Sequence, residues 1–368
     1  MFFLNMIIMK ILLLGDFSTV QLNLKKGLEY RGHDVTLISH GDGFKKVDSD
    51  IKVYTRHKDE NNYIGALKEI THQLQISQKI KNFDVVQTAS HIFYHNRVDG
   101  YLFPKIFERN KKTVLLNTAC SLPYNNFVKQ LKYSPCKDCK IYDLKNGICE
   151  HEKINAKSIE FDRYKKYNAI VSTHFEYYQS FNETIFKNKN KFIPIPVDLN
   201  QFQFDKTIIL DKINVYYGEI RKGFKGGIYI EEALEKIRNS RYSKYFNIIV
   251  SEKLSYAEYL KVISSCHVLI DQASSYSYGV NAIIGLSKGK VVLSGAEHEA
   301  IELLSDFQIS NPIINIKPNS DDIYNKLIWL LENKDKLQEI GSKGRDFVNK
   351  FHSLDYISEK YENLYMSL

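Results

Sequence analysis

The segment "YGEIRKGFKGG" (217–227) sets Arg221 and Lys225 among Gly218, Gly223, Gly226 and Gly227. A guanidinium grips two phosphate oxygens at once and an ammonium adds a mobile point charge, so the pair is suited to a diphosphate. Ordinary solvated surface charges are the competing reading. A second segment, "SSYSYGVNAIIG" (274–285), passes from a strand pattern to a helical one at Tyr278-Gly279. The amides of Gly279, Val280 and Asn281 are then expected to face a ligand, because a helix start attracts anions without any acid nearby. No carboxylate stands between Asp271 and Glu297. Glu297 and Glu299, in "GAEHEA", either complement the start of the next helix or touch the ligand. A third segment, "CKDCKIYDLKNGICEH", supplies Cys136, Cys139, Cys149 and His151. This donor set would close a structural zinc site with no open position for catalysis. Free thiols in a reduced setting are the alternative. His91, in "QTASHIF", ends a strand and either faces a cleft as an acid–base group or has a structural role. Gly15-Asp16-Phe17-Ser18 follows the first strand, with Ser18 expected to cap the next helix. No G-x-G-x-x-G is present there, which argues against a nicotinamide enzyme.

These groups sit at the ends of a regular alternation. The runs "KILLLG" (10–15), "DVTLIS" (34–39), "DVVQT" (84–88), "TVLLN" (113–117), "AIVST" (169–173) and "KFIPI" (191–195) read as strands separated by amphipathic helices. The pattern restarts with "INVYYG" (213–218), "NIIVS" (247–251), "HVLID" (267–271), "KVVLS" (290–294) and "PIINI" (312–316). Near-continuous apolar strands with helices between them imply parallel sheets covered on both faces. The expected organisation is α/β: a first Rossmann-like domain over 1–197 with a Cys-rich insertion at about 118–157, and a second over 198–352. A C-terminal helix over 353–368 is expected to pack back on the first domain. The proline-bearing stretch 193–212 reads as the linker. Ligands of such sheets bind beyond the carboxyl ends of the strands, in the cleft between the domains.

With 368 residues, 43% apolar and 26% charged, the chain has the composition of a globular protein and the length of two domains. Its net charge of +8 favours anionic partners without choosing among them. The opening "MFFLNMIIMKILLLGDFS" reads as a buried first strand rather than a signal peptide, with Met1 or Met9 as the start. An odd count of 5 cysteines fits a cytoplasmic setting better than a disulfide framework. Lys, Arg and Tyr mix in "FVKQLKYSPCKDCK" and "DRYKKYN", as a solvated face or as contacts with an anionic membrane surface. No nucleic-acid motif accompanies this charge, so no nucleic-acid partner is expected.

Five segments taken in order resemble a GT-B glycosyltransferase, and most closely the retaining, sugar-nucleotide-dependent glycosyltransferase family four. "MKILLLGDFSTVQLNLKKGLEYRGHDVTLISHGDG" looks like its opening strand, loop and helix. "IPIPVDLNQF" is similar to its interdomain "PNGVD-x-x-x-F", and "YGEIRKGFKGGIYIEEAL" to "G-R-x-x-x-K-G…A". "YLKVISSCHVLID…SYSYGVNAIIGLSKGKVVLSG" resembles its "E-x-F-G-x-x-x-x-E-A" region, and "LLENKDKLQEIGSKGRDFVNKFHSLDYISEKYENLY" its final helices. The resemblance implies a nucleotide-sugar donor, held by Arg221, Lys225 and the amides from Gly279 onward, and a glycan or lipid-linked glycan acceptor on the first domain. No cofactor is required for catalysis. The family's two glutamates, which contact the donor sugar and the ribose, fall at Tyr276 and Ile284. Tyr276, Tyr278, Asn281, Glu297 and Glu299 are the candidates left to line the donor site. Loss of both acids leaves a second possibility, a non-catalytic binding or partner subunit. A sugar-nucleotide epimerase or a phosphorylase is disfavoured by the lack of their signatures.

Overall fold

The structure is a computed structural model that describes residues 7–42, 47–55, 62–139, 142–143, 148–149, 154–206, 211–218, 224–251, 254–304 and 311–368. Among them the chain forms β1 (Lys10–Leu14), β2 (Asp34–Ser39), β3 (Ile51–Lys52), β4 (Val85–Thr88), β5 (Lys112–Asn117), β6 (Tyr142–Asp143), β7 (Ile148–Cys149), β8 (Ala169–Ser172) and β9 (Asn190–Phe192). Seven of these make one parallel sheet in the order β3-β2-β1-β4-β5-β8-β9, while β6 and β7 pair as a separate antiparallel hairpin. A second parallel sheet holds β10 (Ile213–Gly218), β11 (Phe246–Ser251), β12 (Val268–Ile270), β13 (Val291–Ser294) and β14 (Ile314–Asn315), in the order β11-β10-β12-β13-β14. Both orders reverse beside their first strand, which opens a crevice at the carboxyl ends.

The strands follow from their apolar runs. Ile11 and Leu13 enter one core cluster while Leu12 and Leu14 enter another, so β1 is covered on both faces. Several predicted strands come out shorter, β9 and β14 with a proline as the cause. β9 stops at Phe192 because Pro194 and Pro196 cannot donate to a ladder, and β14 shrinks to two residues after Pro312. The two-residue β3 carries too little pattern to be read from sequence.

Helices α1 (Val20–Tyr30), α2 (Phe175–Asn182), α3 (Gly227–Arg238), α4 (Tyr256–Ser265), α5 (Val280–Ser287), α6 (His298–Glu302), α7 (Leu337–His352) and α8 (Leu354–Ser367) matter most to the site. No described helix is long and apolar enough to cross a membrane. Ser18 does not cap α1: Ser18 and Thr19 both lie at positive φ (54° and 64°), and Thr19 makes no side-chain cap. The Asp16 carboxylate does that work instead, accepting from the amides of Gln21 at 2.9 Å and Leu22 at 3.1 Å.

The chain passes between the lobes twice, at neighbouring places. Val197 donates its amide to the His352 carbonyl at 2.8 Å and pairs with Ser353 in a parallel bridge. Beyond that point α7, whose Phe347 and Val348 are buried, gives way to α8, which lies against α1 of the first lobe. Glu362 on α8 receives Arg31 Nε at 2.6 Å and pairs with His33 Nε2 at 3.0 Å, and the Tyr365 hydroxyl donates to Gln87 at 2.9 Å.

Candidate functional site

Lys225 closes the turn that precedes α3, and its carbonyl accepts from Ala273 N at 2.8 Å. The next residue, Gly226, sits at φ +75, and a Cβ there would stand 2.5 Å from Ser274 Oγ. Glycine therefore lets this turn lie directly on the segment after β12. Lys225 Nζ meets Asp271 Oδ1 at 2.5 Å. Asp271 is fully buried at the end of β12, and its other oxygen accepts from Gly279 N at 2.9 Å and Ser294 Oγ at 3.1 Å. The Gly279 amide, expected to face a ligand, is thus already capped from within its own lobe. Val280 and Asn281, as the first residues of α5, have amides with no acceptor inside the helix. An ammonium and a helix start so placed can stabilise a diphosphate.

The turn between Asp271 and Gly279 is held from every side. Gln272 Nε2 donates to Ser277 O at 2.6 Å, Gly295 N to Gln272 O at 2.8 Å, and Glu297 N to Tyr276 O at 2.9 Å. From the first lobe, Glu176 on α2 inserts a buried carboxylate. It accepts from Ser275 Oγ at 2.5 Å, Tyr276 N at 2.7 Å, Ser277 N at 3.2 Å and Ser277 Oγ at 2.6 Å. Hydrogen bonds to a charged group contribute about 1.5–3 kcal/mol each, so this is a strong fixture even allowing for non-additivity. Ser277 Oγ also accepts from Phe175 N at 3.0 Å. Around it the Tyr276 ring stacks on Phe175, 5.8 Å between centroids, and packs on Tyr133 at 4.9 Å.

The remaining candidates take varied positions. Tyr276 is only 8% exposed, its ring enclosed by first-lobe aromatics. Tyr278 is equally buried, and its hydroxyl bonds His352 Nε2 at 2.8 Å rather than facing a ligand. Asn281 accepts from the Tyr259 hydroxyl on α4. Glu297 is engaged by Tyr133 and Asn315 and sits near Lys317. Burial pulls its pKa up, but those partners outweigh it and leave the carboxyl below the usual range. Glu299, in the first turn of α6, is exposed. His91 does not face the cleft. Its Nε2 pairs with Glu160 at 2.9 Å, its Nδ1 lies 3.5 Å from the Tyr164 hydroxyl, and its carbonyl accepts from Arg163. Both ring nitrogens are thereby committed inside the first lobe. Gly15, Asp16, Phe17 and Ser18 do follow β1 at its carboxyl end, with Asp16 buried and Phe17 exposed.

Arg221, His151 and the Cys149 side chain lie outside the described residues. Cys136 Sγ lies 3.8 Å from Asn125 Oδ1, and Cys139 ends a one-turn helix, Pro135–Asp138. Among the described residues no group of three or more His, Cys, Asp or Glu is placed to hold a metal.

No protein-family profile matches the chain, and no curated protein matches it either. Solved structures do. Sucrose-phosphate synthase from Thermosynechococcus elongatus aligns over 97% of this chain and 98% of its own, with a TM-score of 0.66 at 12% identity. HepE from Anabaena, in complex with UDP-glucose, aligns over 98% and 100%, at 0.62 and 13%. The catalytic domain of starch synthase IV from Arabidopsis thaliana, bound to ADP and acarbose, aligns over 98% and 99%, at 0.61 and 10%. This chain has the GT-B fold. At such low identity the likeness establishes architecture alone, and residue roles have to come from the site itself.

In that frame Ile284, where the resemblance places the ribose acid, is buried in the core behind α5. Two acids of this site escaped sequence reasoning. Asp271 was visible as the polar end of "CHVLID" but gave no sign that it folds back on Gly279 and Lys225. Glu176 lies 99 positions from Ser275 and carried no local signal at all.

Proposed function

We propose that the protein is a glycosyltransferase that moves a sugar from a nucleoside-diphosphate donor to a glycan or glycoconjugate acceptor, with retention, in the building of a surface polysaccharide or glycoconjugate. The observation that carries this reading is Lys225 beside the start of α5, at the carboxyl edge of the second sheet of a GT-B fold. Cleavage of the sugar–phosphate bond leaves negative charge on the nucleoside diphosphate. Groups oriented beforehand stabilise that charge without reorganising. Lys225 Nζ and the Val280 and Asn281 amides would do so here, with Arg221 as the second cation that the sequence offers. The first lobe would hold the acceptor beside Gly15–Ser18. UDP-glucose in HepE and ADP in starch synthase IV make a nucleotide the first ligand to test. The resemblance to family four supports retention, and a cytoplasmic protein at the inner face of a membrane fits the basic, tyrosine-rich stretches.

The donor sugar and ribose cannot be gripped by the two family acids, since Tyr276 and Ile284 stand in their places and are buried. Asn281, half-buried, and Glu299, exposed, remain in reach of solvent to replace them. A thermal-shift screen against uridine, guanosine, adenosine and cytidine diphosphate sugars tests the reading. At least one should stabilise the wild type, and Lys225→Ala should weaken that ligand about tenfold, the loss of one charged contact. Stabilisation by none of the four would remove the reading's support. A non-catalytic binding subunit is the second reading, favoured by Asp271 and Glu176 already occupying three amides of the turn. Donor binding without transfer or donor hydrolysis would select it.

A further inference from the structure

We propose that Glu176 is a positioning residue for the donor turn: from the first lobe it fixes residues 274–279 of the second, and so makes nucleotide affinity depend on the two lobes standing together. This rests on the donor reading above. The geometry is specific to an interlobe device. One buried carboxylate takes the amides of Tyr276 and Ser277 and the hydroxyls of Ser275 and Ser277. Ser277 Oγ is used in both directions, accepting from Phe175 N on the same helix while donating to Glu176 Oε2. The ring of the intervening Tyr276 is enclosed by Phe175 and Tyr133, both of the first lobe.

The turn is thus shaped in its middle by both lobes. Its far end, Gly279, leads straight into α5, whose first amides are the proposed phosphate contacts. Asp271 fixes that end from within the second lobe, and Glu176 fixes the near end from across the gap. Displacement of Glu176 by an incoming anion fits the observations less well. The carboxylate would give up four hydrogen bonds. Glu176 acts through the amides and hydroxyls of the turn.

Amide hydrogen exchange and nucleotide binding, measured on the full chain, test the proposal together. In Glu176→Gln the amides of Tyr276 and Ser277 should exchange at least tenfold faster without ligand, while those of β10 and β12 stay protected. The affinity for whichever of UDP, GDP, ADP or CDP stabilises the wild type should fall about tenfold, and Glu176→Asp should lie between. In turnover the donor KM should rise with kcat little changed, a split that a general loss of fold would not give. Ser275→Ala with Ser277→Ala removes the hydroxyl donors from the opposite side and should reproduce the effect if Glu176→Gln fails to fold. Unchanged exchange, or faster exchange with full nucleotide affinity, overturns the proposal while leaving the transferase reading in place. A wild type that binds none of the four nucleoside diphosphates removes the donor reading and this proposal's affinity claim with it, whatever the exchange shows.

Discussion

Two buried titratable residues pull the stability of this protein in opposite directions as pH falls. Asp16, capping α1, has its carboxyl pushed up to about 6 by burial, against the opposing pull of the Gln21 and Leu22 amides. His352 is lowered to about 4 by burial at the interlobe crossing. Its Nδ1 faces the Ile195 carbonyl at 2.8 Å, which can only accept, so Nδ1 carries the proton of the neutral ring. For Asp16 the folded state binds the proton more readily than the unfolded chain does. It therefore adds roughly 3 kcal/mol as pH falls from 6 toward 3.8. For His352 the unfolded chain binds the proton more readily, and roughly 3 kcal/mol is lost as pH falls from 6.5 toward 4. The two largely cancel in the wild type. Asp16→Asn should unmask the histidine, giving a steeper fall in urea-unfolding stability between pH 6 and 4.5. Parallel profiles for variant and wild type would refute the assignment. Neither behaviour is legible in sequence, because Asp16 looked like a loop residue beside a Ser expected to cap. Only the left-handed backbone at Ser18 and Thr19 turns the carboxylate into the cap.

Among the elements, the strands were readable and the turn that matters was not. Runs such as "KILLLG" and "INVYYG" declare buried parallel strands whatever surrounds them. The segment 272–279 takes its shape from residues elsewhere: Glu297 and Gly295 behind it, Lys225 beside it, and Glu176 opposite. Its tyrosines read as ligand-facing and pack inward, since both lobes contribute aromatic walls that sequence cannot bring together. Gly295 offers a sharp test. A Cβ there would come within 1.9 Å of Ser275 O, a backbone atom that cannot swing aside. Gly295→Ala should cost about 1–3 kcal/mol, the range for overpacking, and weaken nucleotide binding through the displaced turn. Gly100→Ala is the control, because nothing lies within 4 Å of its Cβ position in the helix Asn96–Leu102. That change should be neutral or stabilising by up to about 1 kcal/mol. Equal urea midpoints for the two variants would contradict the clamp.

At the scale of the whole molecule, the chain's last helix belongs by packing to its first lobe. Ile357, Tyr361 and Tyr365 of α8 share a core cluster with Val20, Leu24 and Leu28 of α1, and Glu362 is the shared partner of Arg31 and the buried His33. The second lobe has a cluster of its own that α8 does not enter, built from Val215, Ile230, Leu234, Ile270, Leu293 and Leu327 among others. Removing 353–368 therefore acts on the lobe farther away in sequence. It uncovers apolar surface on α1 and strips His33 and Gln87 of their α8 partners. On the second-lobe side the loss falls at α7, which lies against α8 and shares a core cluster with it. A chain ending at His352 should unfold in two calorimetric steps, the first lobe melting early and the second near the wild-type temperature. Hydrogen exchange should place the early loss in β1, β2 and β4. The interlobe contact at Glu176 sharpens the expectation, because a loosened first lobe also releases the turn 274–279. The truncated chain should accordingly bind nucleotide weakly even where β10–β13 remain folded. A single transition at the wild-type temperature, with nucleotide affinity intact, would mean that α8 is an ornament on the first lobe and that the two halves do not depend on each other.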